Sequence, residues 1–108
     1  MAQRRVSPPP PPRAYSDFVK KFPDLAAAWE SIAAAGRKGP LSEREARLVK
    51  LAVAIGALRE GSVHSSVRKA ASAGINPDDI AQVIALAAGT LGMPATVAVH
   101  TWVREVLR

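Results

Sequence analysis

The stretch that most constrains the fold is the run from Leu48 to Leu58, which carries a single charge, Lys50, among apolar residues. Nearly every face of a helix with this sequence is apolar, so each face must be covered by protein. One face can pack against the rest of the chain, and the face that carries Val49 and Val53 can pack against a second copy. The sequence therefore predicts a central helix in a homo-oligomer.

The other segments also have helical periodicity and clear end signals. Ser42 and Glu45 have the spacing of a capping box, and Asn76 followed by a proline is typical of a helix start. The apolar spacing predicts about six helices and no strand, that is, an all-α fold with a compact helical domain. We place the junction between the third and fourth helices at Gly61.

Composition indicates one domain in a protein without cysteine. Five consecutive prolines predict a disordered arm at 1–13, which leaves a single helical domain at 14–108. No apolar run approaches the roughly 20 residues of a membrane span, and the proline-rich start is no secretory signal, so we expect a cytoplasmic protein without a membrane partner. The net charge of +6 is shared between the arm and every helix, which argues against nucleic-acid binding. Weak electrostatic affinity for DNA is the alternative.

Glu60, His64 and Ser66 bring a carboxylate, an imidazole and a hydroxyl within two helical turns. Imidazole gives and takes protons near neutral pH, so His64 is a candidate catalytic residue, with Glu60 to orient it and Ser66 as a hydrogen-bond partner. The alternative is a structural histidine beside a surface acid. Glu60 and His64 alone are too few ligands for a metal ion, so we predict no metal and no other cofactor.

Three cations are candidates to bind the carboxylate of a small substrate, because cationic side chains make charge-assisted hydrogen bonds to carboxylates. These are Arg47, Lys50 and Arg59.

Four segments from Leu41 to Leu107 together resemble a known family. They are LSEREARLVKLAVAIGA, VRKAASAG, INPDDIAQVIALAAG and GMPATVAVH. The order of their caps and glycines resembles the carboxymuconolactone decarboxylase and alkylhydroperoxidase-D-like family. The resemblance implies an all-helical subunit whose central helices pack against those of neighbouring subunits, commonly in trimers or hexamers.

The redox members of this family use a Cys-x-x-Cys pair with a histidine and a glutamate. The resemblance aligns the cysteines with Arg59 and Ser62, the histidine with Ser66 and the glutamate with Arg47. Because the chain has no cysteine, thiolate peroxidase chemistry is excluded. Two functions stay open. The first is a Cys-independent lyase or isomerase acting on a small carboxylated metabolite, and the second is a non-catalytic helical oligomer or ligand-binding module that has lost the family site.

Overall fold

The computed structural model describes residues 13–108, and these residues form six α-helices with no strand among them. The predicted all-α class and number of helices are therefore confirmed. None of the helices in this part of the chain is long and apolar enough to cross a membrane. The predicted arm at 1–13 lies outside the described residues except for Arg13, at which the first helix begins. The helices are α1 (Arg13–Lys21), α2 (Pro23–Gly36), α3 (Glu43–Gly56), α4 (Glu60–Ser72), α5 (Pro77–Leu91) and α6 (Met93–Leu107).

The chain divides into two compact units, whose described parts are 13–41 and 42–108. The first unit contains α1 and α2, which pack together. The ring of Phe18 on α1 contacts the ring of Phe22, which precedes α2, with centroids 5.1 Å apart. The single helical domain expected at residues 14–108 stays a prediction.

The second unit is a bundle of four helices, α3 to α6. α3 packs against α4 and α5, and α6 packs against the same two helices, so each helix has two main neighbours. Each helix therefore buries one stripe of side chains. The core is made of aliphatic side chains, namely Leu51, Ala54, Ile55, Val63, Val67, Ala70, Ile75, Ile80, Ile84, Val99 and Val103.

Two predicted helix caps are confirmed. The backbone N–H of Glu45 donates to Oγ of Ser42 at 3.0 Å, and the N–H of Ser42 donates to Oε1 of Glu45 at 2.9 Å. The hydrogen bond that the Ser42 N–H donates to this carboxylate, with a smaller contribution from the Ser42 side chain, holds the pKa of the Glu45 carboxyl below its usual value. At the start of α5, Oδ1 of Asn76 accepts from the N–H of Asp78 at 2.8 Å. Both caps satisfy backbone donors that a helix start leaves open.

The junction between α3 and α4 lies at 57–59, and the prediction of a junction at Gly61 is wrong. Gly61 belongs to the first turn of α4. The turn is made by Leu58, whose φ of 54° is left-handed. The N–H groups of Leu58 and Arg59 donate back to the last turn of α3 at 2.9 and 3.3 Å, which is the Schellman pattern. Leu58 occupies the left-handed position that glycine usually takes after a helix. The presence of glycine at Gly61 therefore led to the wrong junction.

An apolar groove of about 540 Å³ follows the outer side of α3 and α5. Val49 of α3 and Leu86 of α5 line it, and Leu86 is 75% exposed. Val53, one turn after Val49 on α3, is 66% exposed. A salt bridge of 2.6 Å between Arg44 and Asp79 joins the two helices. Within the four-helix bundle, the second apolar face of α3 is therefore uncovered.

Candidate functional site

His64 of α4 lies beside Glu105 of α6, a residue that belonged to none of the motifs found in the sequence. The Nε2 atom of His64 is 3.4 Å from Oε2 of Glu105. With Glu60, one turn before His64, they form a group in which three candidate ligand atoms all lie within 4.8 Å of one another. We call Glu60, His64 and Glu105 the α4–α6 site. Glu105 arrives there because α4 packs against α6, and no local spacing in the sequence indicates that contact.

The imidazole nitrogen that approaches Glu105 is shielded from solvent. The His64 side chain is 23% exposed, yet its Nε2 atom is buried and has no hydrogen-bond partner among the described residues. The 3.4 Å contact with Glu105 is longer than an ordinary N–H···O hydrogen bond of about 2.7–3.2 Å. Glu60 and Glu105 are both exposed, so their carboxylates are free to move toward the nitrogen. The site can therefore hold a proton or a cation.

Ser66 lies on a different side of α4 from His64. Two residues correspond to about 200° of rotation in an α-helix with 3.6 residues per turn. In the described part of the chain, no hydrogen bond joins Ser66 to His64. The structure thus brings Glu60 and His64 together, as the sequence indicated, but does not bring Ser66 to them.

Arg47 and Lys50 of α3 lie near Lys69 of α4, and we call these three residues the α3–α4 basic group. Burial lowers the pKa of the Lys69 ammonium, and repulsion by Lys50, Arg47 and Arg68 lowers it further. The Nε atom of Arg47 is buried and has no hydrogen-bond partner among residues 13–108. Its Nη2 atom is 3.7 Å from Oε1 of Glu43. The basic group is therefore a local concentration of positive charge between two packed helices.

The third cation predicted to bind a carboxylate, Arg59, is the N-cap residue of α4. Its side chain makes no capping hydrogen bond. Lys69 was not among the predicted site residues, although it follows Ser66 by three positions and so lies on the same side of α4. This spacing is the feature of the sequence that could have indicated Lys69 as a site residue.

We expect Lys69→Gln to raise the melting temperature of the protein near neutral pH. Burial and the neighbouring cations lower the pKa of Lys69 in the folded state, so the unfolded chain binds that proton more tightly. At pH values below the lowered folded-state pKa, charged Lys69 reduces the free energy of unfolding by its full amount. This reduction disappears as the pH rises from that value to the ordinary lysine pKa of about 10.4.

Thermal unfolding of both proteins near neutral pH and above the ordinary lysine pKa measures this difference. Lys38→Gln, which removes an exposed cation, is the control. A gain in melting temperature that persists at the high pH, or that Lys38→Gln shares, contradicts the prediction.

The model of the Carboxymuconolactone decarboxylase family matches residues 23–105. No curated protein and no solved structure matches the chain. The family match spans α2 to α5 and nearly all of α6, and it agrees with the resemblance found in the sequence motifs. The chain therefore belongs to the carboxymuconolactone decarboxylase family, as a member that contains no cysteine.

Proposed function

We propose that this protein binds a small carboxylated metabolite at the α3–α4 basic group. The observation that carries the proposal is the buried Nε of Arg47, which lacks a hydrogen-bond partner in the described residues and lies near two further cations. Clustered cations repel one another, and a bound anion replaces that repulsion with attraction. A carboxylate also accepts hydrogen bonds from a guanidinium in pairs, because the two planar groups match in geometry.

The family resemblance also supports an anionic ligand beside Arg47. By this resemblance, Arg47, Arg59 and Ser66 align with a glutamate, a cysteine and a histidine of the redox members. Exchanging a carboxylate and a thiol for two guanidinium groups reverses the charge of the site. A site altered in this way attracts anions.

Titration calorimetry with lactone and dicarboxylate metabolites tests carboxylate binding. We expect binding that weakens as the salt concentration rises, because exposed charges are screened. Arg47→Gln and Lys69→Gln should each lower the affinity about tenfold or more, since a hydrogen bond to a charged group contributes about 1.5–3 kcal/mol.

The matched control is Lys38→Gln, which changes the net charge by the same amount but lies in the first unit. It should keep the wild-type affinity. The proposal fails if none of these ligands binds in the millimolar range, or if all three variants lose affinity equally.

The α4–α6 site favours a second candidate function, a Cys-independent lyase or isomerase in which His64 transfers the proton. The supporting observation is the shielded Nε2 atom beside Glu105. A nearby carboxylate orients an imidazole and stabilises its protonated form during proton transfer. Arg68 follows His64 by one turn and so lies on the same side of α4, where it can bind the carboxylate of a substrate.

Turnover of the same ligands, followed by NMR, separates the two functions. Proton transfer by His64 requires that wild type converts a ligand and that His64→Ala does not. If wild type binds a ligand without converting it, the protein is a carboxylate-binding protein and the proposal of a lyase or isomerase is wrong.

We further propose that the protein is a homo-oligomer, a trimer or a hexamer as the family resemblance implies. The apolar groove of α3 and α5, together with exposed Val53, supports this assembly. Covering these side chains removes apolar surface from water, which favours association.

A further inference from the structure

We infer that the α4–α6 site binds a divalent transition-metal ion through Glu60, His64 and Glu105. Imidazole nitrogen and carboxylate oxygen are ligands that Zn²⁺ and Mn²⁺ accept. The sequence offered two of these ligands in one helical turn. The packing of α4 against α6 adds the third, which is the number of protein ligands typical of an open metal site.

The distances between the ligand atoms suit a single ion. Metal bonds to imidazole nitrogen and carboxylate oxygen are about 2.0–2.2 Å long, which places two neighbouring ligands of one ion roughly 3–3.5 Å apart. Nε2 of His64 and Oε2 of Glu105 already stand 3.4 Å apart. No pair among the three ligand atoms is separated by more than 4.8 Å. Rotation of the exposed glutamate side chains covers the remaining difference.

A second observation points to a ligand at the same atom. Nε2 of His64 is buried without a hydrogen bond in the described residues, although buried polar atoms are normally paired. The Glu105 carboxylate approaches it to 3.4 Å, which lies beyond good hydrogen-bonding distance. A metal ion bound between them gives the nitrogen a partner and removes the repulsion between the carboxylates of Glu105 and Glu60.

The ligand set also selects among cations. One imidazole and two carboxylates neutralise the charge of a divalent ion and leave further positions for water. Mg²⁺ prefers oxygen ligands and loses its water reluctantly, so it is a poor occupant of a site that contains an imidazole. Zn²⁺ and Mn²⁺ are therefore the expected occupants.

This inference goes beyond carboxylate binding by the basic group and does not depend on it. It does compete with proton transfer by His64, because a metal ion and a proton need the same lone pair on Nε2. Metal binding and ligand turnover must therefore be measured separately, with turnover also measured on protein freed of metal on a chelating resin.

Titration calorimetry of the full chain with ZnCl₂, MnCl₂ and MgCl₂ tests the site. We expect one Zn²⁺ or Mn²⁺ per chain near neutral pH and no Mg²⁺ binding at the same concentrations. Glu60→Gln, His64→Asn and Glu105→Gln should each lower the Zn²⁺ affinity at least tenfold. The matched control is His100→Asn, which removes the other histidine of the chain, exposed on α6, and should keep the wild-type affinity.

Visible absorption of added CoCl₂ gives a second readout, because its spectrum reports nitrogen and oxygen ligands. The spectral change should be absent in His64→Asn and present in His100→Asn, with circular dichroism confirming that both variants fold. The inference is overturned if neither Zn²⁺ nor Mn²⁺ binds, or if His100→Asn loses as much affinity as His64→Asn. Carboxylate titrations of protein freed of metal on a chelating resin keep this outcome distinct from failure of the proposed function.

Discussion

Leu51→Ala should lower the free energy of unfolding by about 3–4 kcal/mol. Leu51 is 0% exposed and lies in the aliphatic core of the four-helix bundle. Its truncation loses the transfer free energy of the removed carbons and leaves a cavity that neighbouring side chains fill only in part. A domain of this size has a total stability of about 5–15 kcal/mol. The melting temperature should therefore fall by roughly 15 °C.

Urea denaturation measures this loss as a lower midpoint with an unchanged slope. The matched control is Leu41→Ala, because Leu41 is 57% exposed and lies outside every helix. It should change stability by no more than about 0.5 kcal/mol. Equal losses in the two variants would show that Leu51 is not a core residue. Both measurements are made at one protein concentration, because association adds to apparent stability.

The predictions that the structure confirms depend on residues within one helical turn of each other. The capping pair of Ser42 and Glu45 and the cap at Asn76 are of this kind. A cap satisfies local backbone donors, so its spacing is fixed whatever the rest of the fold does. The core stripes of α3 to α6 have the same local origin, because side chains three and four residues apart share a helix face.

The features that could not be predicted depend on contacts between helices or on an unusual backbone. Glu105 reaches His64 only because α4 packs against α6. Lys69 reaches the cations of α3 by the same kind of packing. The junction was missed because Leu58 adopts a left-handed conformation that favours glycine, and the nearby Gly61 was the stronger compositional signal.

The expectation from the sequence and the four-helix bundle differ in how much of α3 is covered. The sequence requires that both faces be covered, and the bundle covers only the face of Leu51 and Ile55. Val49 and Val53 stay exposed on the other face. A helix with this pattern is stable in water when a second surface covers it, and a second copy of the chain carries the same apolar groove.

Val53→Asp should therefore separate the proposed oligomer into single chains. The substitution loses the burial of one valine in every copy, about 1.5 kcal/mol. It also places a carboxylate without a partner in an apolar contact, which costs several kcal/mol more. The association constant should fall by roughly a thousandfold or more. Size-exclusion chromatography with light scattering then gives a mass near 11.4 kDa for the variant and a multiple of it for wild type.

Val97→Asp is the matched control for the loss of assembly. Val97 is 55% exposed on α6, and the groove is lined by α3 and α5 only. This variant carries the same new charge in a helix and should keep the mass of wild type, whereas Val53→Asp should not. If Val53→Asp keeps the assembled mass, α3 does not form the contact between copies. If wild type is a single chain at every concentration, the uncovered valines are exposed to water and the proposed homo-oligomer does not exist.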